Sequence, residues 1–219
     1  MGETRLAEPN WIDQLPVNIR ESLLAAMQPR KFARGALIYN RTEQPPGLYL
    51  IRSGSALFQI DGANGKRLLL KIIRENELFG ETVAYDGKPS PIAVETRGWL
   101  LTDFISTDEL AKFRSQYVEV DRALASAAVQ NLRAALAAIE ELNLMDLRDR
   151  TLACLVRLCK ETATPGRAVV QLDLTQAELA SMLGASRQAT NAVLGEFETV
   201  GWLKRNFRNL ECVASSLIS

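Results

Sequence analysis

Arg187 and Gln188 are the two neighbouring side chains of this sequence best suited to reading another molecule. Arginine matches the acceptor edge of guanine with paired N–H donors, and glutamine matches adenine with one donor and one acceptor. They stand in LTQAELASMLGASRQATNAVLGEFE, residues 174–198. The spacing predicts two helices joined by a tight turn. Thr175 and Glu178 form a capping box for the first. Leu179, Met182 and Leu183 put one apolar stripe on it. Gly184 ends it, as a residue that adopts positive φ at little cost. Ser186 caps the second helix, whose buried side is predicted to be Ala189, Val193, Leu194 and Phe197. Arg187, Gln188, Asn191 and Ala192 then point away near its N-terminal end. A helix–turn–helix places that end in the major groove of DNA. A plain helical hairpin inside a core fits the same spacing.

The residues that follow add to the nucleic-acid reading. Trp202–Leu203 and Leu210–Val213 are predicted to be short strands around a polar turn. Such a hairpin after a recognition helix is a wing, and its Lys204, Arg205 and Arg208 would lie along phosphates. The global charge gives no such signal: 26 cationic and 26 anionic side chains cancel over 219 residues. From Asp146 onward there are nine cations and eight anions, so any attraction has to be local, and screening confines it to about 10 Å.

Composition removes other chemistries. The chain has no histidine, and so lacks the commonest general base and transition-metal ligand and the usual haem ligand. Its three cysteines, Cys154, Cys159 and Cys212, have neither metal-site spacing nor a disulfide framework, and an odd count fits a reducing cytoplasm. No run is apolar enough to span a bilayer and no signal-peptide core follows the N-terminus. No catalytic constellation stands out; Glu140 and Glu141 point to different sides of a helix. The expectation is a cytoplasmic protein that is not an enzyme, with no metal and no cofactor identified.

Met1–Pro9 reads as a loose tail. Trp11 to Met27 carries apolar residues at helical spacing, interrupted near Pro16 and ended by Pro29. From Arg30 to Ile105 the texture is that of many short strands: Phe32, Leu37–Tyr39, Leu48–Ile51, the alternating Ala56, Phe58 and Ile60, then Leu68–Ile73, and two more over Ile92–Ile105. Asp61-Gly62 and Asn64-Gly65 are hairpin-turn material. The pattern predicts an antiparallel barrel or jelly roll. Within it, residues 75–91, ENELFGETVAYDGKPSP, hold a Gly80-Glu81 pair before a short helical turn. Backbone N–H groups there can hold an anion and Glu81 a sugar hydroxyl; a turn with a surface glutamate fits equally.

After Thr107 the pattern is helical. A long helix runs to about Met145 with a heptad-spaced stripe, Leu124, Ala128, Asn131, Ala135, Ala138, Leu142 and Met145, and a neighbouring stripe, Leu132, Leu136 and Ile139. One would pair with a twin helix and the other would lie on the barrel. Asp146–Arg150 reads as a hinge, Leu152–Cys159 as a further helix, and Ala168–Leu172 as a strand. The fold class is α+β. An antiparallel β-roll or jelly-roll sensor domain (1–118) precedes a dimerisation helix (119–145) and a C-terminal winged helix–turn–helix (146–219).

This order resembles the Crp/Fnr family of bacterial transcription regulators. The resemblance is strongest at LTQAELASMLGASRQATNAVL and at GLYLIRSGSALFQID, Gly47–Asp61. ELFGE, Glu77–Glu81, is similar to the start of the family's phosphate-binding cassette. The resemblance implies a homodimer on double-stranded DNA at a near-palindromic site, with recognition helices ~34 Å apart. It implies base reading by Arg187 and Gln188 and phosphate contacts from Thr175 and Ser186. The next base-reading position is Arg in the best-known members and Ala192 here, which implies a different site preference. It also implies that the loop near Thr162–Arg167 touches RNA polymerase.

The effector site departs from the family's nucleotide binders. The Arg that holds their cyclic phosphate falls here on Ser90 or Pro91, neither charged. The purine-facing positions of the long helix fall on Ala135 and Leu136. With Gly80 and Glu81 these make up the candidate effector pocket, for which cyclic AMP is not the expected ligand. Iron–sulfur sensing lacks cysteines before Cys154, and haem sensing lacks histidine. The competing reading is a ligand- or partner-binding module whose DNA-reading helix has degenerated.

Overall fold

The computed structural model describes residues 10–62, 66–163, 167–206 and 208–213. The expected tail over Met1–Pro9, the Asn64-Gly65 turn and the centre of the 162–167 loop lie outside them. Contacts divide the chain into a unit over Pro9–Ala135 and a unit containing Leu136–Ser219.

The first unit opens with a turn at Trp11–Gln14 and helix α1 (Val17–Ala26). Eight strands follow: β1 (Gln28–Phe32), β2 (Leu37–Tyr39), β3 (Gly47–Ser53), β4 (Ala56–Asp61), β5 (Arg67–Ile73), β6 (Leu78–Phe79), β7 (Ala93–Thr96) and β8 (Leu100–Ser106), with the short α2 (Glu81–Asp86) between β6 and β7. They form two four-stranded antiparallel sheets, ordered β1-β8-β3-β6 and β2-β7-β4-β5. Pro29 does not end the helix as expected. It sits inside β1, an edge strand, where a missing N–H is tolerated.

Alternation along β3 explains why two cores exist. Tyr49 and Ile51 face the barrel interior with Tyr39, Phe79, Val94 and Leu100. Leu48 and Leu50 face the other way, onto Trp11, Ile12, Leu23, Leu110 and Leu124 of the helical layer. The interior is strongly aromatic: Tyr49 stacks on Phe79 with centroids 4.7 Å apart, and Phe58 meets Phe79 edge-on at 6.2 Å. Helix α3 (Thr107–Gln116) starts where Ser106 accepts a hydrogen bond from the Glu109 N–H.

Helix α4 (Val118–Leu144) carries residues of both units. Val120 and Leu124 are buried against the helical layer, with Ala123 and Ala127 beside them. The first predicted stripe therefore begins as the barrel-packing face. Leu142 and Leu144 near the end of α4 are exposed, and before them Val129, Leu132, Leu136 and Ile139 are each at least half exposed. Their spacing of three, four and three residues makes a continuous apolar ridge, and it contains the second predicted stripe rather than Asn131.

In the second unit, Asp146 of the predicted hinge is the N-cap of α5 (Leu147–Thr162), its carboxylate accepting from the Asp149 N–H at 2.8 Å. The charged residues after it are the first turn of that helix. Strand β9 (Val169–Leu172), α6 (Gln176–Met182), α7 (Arg187–Thr199), β10 (Leu203–Arg205) and β11 (Leu210–Val213) follow, and the three strands form one antiparallel sheet ordered β10-β11-β9.

Candidate functional site

Helix α6 begins with the predicted box: Thr175 Oγ1 accepts from the Glu178 N–H at 3.1 Å, and the Thr175 N–H donates to Glu178 Oε2 at 2.8 Å. It ends in a Schellman turn. The Ala185 N–H reaches back to the Ala180 carbonyl at 3.0 Å while Gly184 takes φ +61°. A side chain there would be strained. Ser186 then caps α7, its Oγ accepting from the Ala189 N–H at 3.1 Å.

Helix α7 is held by Val193, Leu194, Phe197 and Thr190, all buried. Thr190 replaces the expected Ala189, which is only half-buried. Phe197 packs on Trp202 at 5.3 Å and lies under the Arg148 guanidinium at 5.4 Å. With that side fixed inward, Ser186, Arg187, Gln188 and Ala192 are all exposed on the first turns. Ser186 uses its oxygen as cap and keeps its O–H for an outside acceptor. Thr175 does not, because its hydroxyl donates to Glu178 Oε2 at 2.8 Å.

The wing separates its cations. Lys204 and Arg208 are exposed, but Arg205 turns back onto α7. The Arg205 backbone N–H donates to Glu198 Oε1 at 2.8 Å, its Nε donates to Oε2 at 2.8 Å, and its Nη1 donates to the Asn191 carbonyl at 3.2 Å. Arg205 was expected along a phosphate; its donors are instead spent inside the protein, and Asn191 is half-buried beneath it. These bonds hold the Glu198 carboxyl below the usual carboxylate range. Sequence spacing gave no sign of this clamp, since Glu198 and Arg205 belong to different elements.

In the barrel, Gly80 takes φ +97°, and a Cβ there would come within 2.4 Å of the Gly47 carbonyl oxygen, so glycine is required. It turns the chain so that Glu81 starts α2 beside Tyr39 and Ser90. Ser90 is buried, donating through Oγ to the Ile92 carbonyl at 2.8 Å and hydrogen-bonding Tyr39. Burial pushes both the Tyr39 hydroxyl and the Glu81 carboxyl up, Glu81 also raising Tyr39. Lys71, paired with Glu77, partly offsets the effect on Glu81. Of the candidate effector residues, Gly80 and Glu81 start α2 and Ser90 is buried, whereas Pro91 faces solvent and Ala135 and Leu136 are exposed on α4.

The Glu81 shift has a testable sign. The folded protein holds that proton more tightly than the unfolded chain, so stability falls as pH rises from the ordinary carboxylate range through the raised folded value. Glu81→Gln should remove this fall. The urea midpoints of variant and parent should move apart as pH rises through that interval, and parallel midpoints would refute the burial of a charge there.

Two family models match the chain: the cyclic nucleotide-binding domain over residues 29–117 and the Crp-like helix-turn-helix domain over residues 149–213. The chain belongs to the Crp/Fnr family. It is a DNA-binding transcription regulator of that family. A similar relative is the CRP-like cAMP-activated global transcriptional regulator of Mycobacterium tuberculosis, 28% identical over 185 residues, covering 84% of this chain and 83% of that one. The cyclic AMP receptor protein of Thermus thermophilus is 27% identical over 179 residues, covering 78% and 77%. Among solved structures, the c-di-GMP responsive global regulator CLP of Xanthomonas campestris superposes with a TM-score of 0.77 at 21% identity, covering 90% of this chain and 99% of that one. FixK2 of Bradyrhizobium japonicum gives a TM-score of 0.77 at 17% identity, covering 88% and 98%. These likenesses agree on a Crp/Fnr fold. Among the described residues no helix is long and apolar enough to cross a membrane, and no cluster of His, Cys, Asp or Glu could hold a metal ion.

Proposed function

We propose that the chain acts as a cytoplasmic homodimer on a near-palindromic site, with an effector domain over 1–118, a dimerisation helix over 119–145 and a DNA-binding domain over 146–219. The observation that carries the DNA reading is the exposure of Arg187 and Gln188 on the first turn of a helix whose opposite side is locked by Val193, Leu194 and Phe197. Arg187 pairs with guanine and Gln188 with adenine, while Ala192 offers at most contact with a thymine methyl. The free O–H of Ser186 donates to a phosphate. Thr175 is left to the backbone at the start of α6 for that contact. Lys204 and Arg208 lie on the flanking phosphates, and Arg205 braces the wing against the recognition helix. Selection from a random-sequence DNA library tests this. A two-fold site with guanine and adenine in each half supports it, and recovery of no preferred sequence overturns it.

Lys204→Ala should weaken binding to all sequences alike. The dimer loses two phosphate contacts, one per subunit, and each lowers the slope of log affinity against log salt by ~0.9. Titrations at several salt concentrations read this directly, and a change in sequence preference instead would place Lys204 on a base.

The effector is not cyclic AMP on this reading, although the relatives described above are named a cAMP-activated regulator and a cyclic AMP receptor protein. The positions where the family's nucleotide binders carry arginine hold Ser90, whose hydroxyl is engaged within the protein, and Pro91, which faces solvent. Losing a charge-assisted phosphate contact costs ~1.5–3 kcal/mol. Calorimetry at millimolar cyclic AMP should detect no binding; micromolar affinity would contradict the proposal. The 162–167 loop is proposed as the surface offered to RNA polymerase, as in the family.

A further inference from the structure

One side chain of the first unit ties three helices together. Arg114 stands in the last turn of α3, and its Nη1 donates to the Tyr85 carbonyl at 2.9 Å and to the Ala84 carbonyl at 3.3 Å. Those carbonyls belong to the end of α2, where a helix has no N–H of its own left to satisfy them. The Arg114 Nε donates to Asp121 Oδ1 at 2.6 Å, in the first turn of α4. The Tyr85 ring lies against the guanidinium, its centroid 4.3 Å from Cζ. The cation is thus engaged on two edges and one face, and its side chain is only 21% exposed.

We propose that Arg114 is a positioning residue that passes a change in α2 to the start of the long helix α4. This route rests on the reading of Gly80 and Glu81 as effector residues, and it supplies the path by which they are felt beyond their own pocket. Helix α2 is six residues long, and the Ala84 N–H donates to the Gly80 carbonyl at 3.0 Å. A single turn therefore separates Gly80 from the carbonyls that Arg114 holds. A ligand that displaces Gly80 or Glu81 carries Ala84 and Tyr85 with it, and Asp121 follows through the guanidinium.

Apolar packing alone does not give this link. Ala84, Leu110, Val120 and Leu124 share one core, so α2, α3 and α4 are packed together. Packed helices still slide past one another by small shear movements. The bonds of Arg114 are directional, and a planar guanidinium cannot turn one edge without turning the other. Lysine could hold one of these partners as a point charge but not the carbonyls and the carboxylate in a fixed relation. Nor does the middle of α4 offer a polar alternative, because Ala135 and Leu136 carry no hydrogen-bonding group. Coupling between sites travels through contiguous bonded groups of this kind, and substitution along the path measures it.

The test is amide hydrogen exchange of the full-length protein, read by mass spectrometry over residues 84–87 at the end of α2 and 120–124 of α4. Arg114→Lys should speed exchange in both segments by at least ~3-fold and leave 187–199 of the recognition helix unchanged. The decisive variants sit on either side of the link. Asp121→Ala, on α4, should speed exchange at 84–87, and Tyr85→Leu, on α2, should speed it at 120–124. Neither should add anything across the link once Arg114 is lysine. Lys112→Ala, which removes a cation of α3 bonded to Glu109 of the same helix, should move neither segment. Effects confined to the helix that carries the substitution overturn the proposal. So do cross-effects that persist in Arg114→Lys, or an Arg114→Lys protein that exchanges like the parent. Exchange is followed without DNA or ligand, so failure here removes the link and leaves the effector reading untouched.

Discussion

On the proposed dimer, replacing Leu136 with glutamate should leave a monomer and abolish specific DNA binding. Leu136 is 57% exposed in the single chain, in the middle of the ridge formed with Val129, Leu132 and Ile139. Soluble monomers seldom leave four such side chains in line on one helix, and a second copy of the same ridge, related by a two-fold axis, is the surface that fits it. A glutamate there would place two like charges in the seam. Losing one half of the operator contacts brings affinity down toward the non-specific level, ~10³-fold or more weaker. Sedimentation and a gel shift on the same sample read both effects. Gln130→Glu, on a different side of the helix, should leave the dimer intact. A dimeric Leu136→Glu protein would show that another surface joins the subunits.

Arg187→Ala carries the second large effect. Its loss should cost ~1–3 kcal/mol in each half-site and relax the preference at one base pair, because a bidentate guanine contact has no substitute at that position. Ala192 cannot compensate, since it offers no hydrogen bond. Binding to random DNA should fall much less. Affinity measured against the selected site and its single-base variants separates the two. If Arg187→Ala leaves the base preference intact, Gln188 and the shape of the site do the reading.

The parts of this molecule that local chemistry dictates were legible in the sequence. Thr175, Glu178, Gly184 and Ser186 mark the helix–turn–helix because caps and turns depend on residues within a few positions of one another. The residues around Gly80 are legible for the same reason, whereas the alternation expected along β4 breaks: the register shifts between Phe58 and Gln59, so Gln59 is buried while Phe58 and Ile60 are only half-buried. What escaped depends on partners far along the chain. Thr190 is polar by type, and only packing buries it. Arg205 looks like any wing cation until Glu198 is seen beside it. The stripe from Leu124 is uniform in sequence, yet its start covers the barrel, while Leu132, Leu136 and Ile139 of the neighbouring stripe are exposed. The charge of Asp146 reads as a break between helices, and its carboxylate is the cap of α5.

The bond between Glu198 and Arg205 limits what a signal can alter. With strand and helix tied at three points, the turn proposed to read bases and the wing proposed to lie on phosphates form one stiff tool. A regulatory input can turn that tool or carry it along, but it cannot change its edge. Variation in activity should therefore appear as tolerance for longer or shorter gaps between the two arms of the palindrome, with the letters in each arm unchanged.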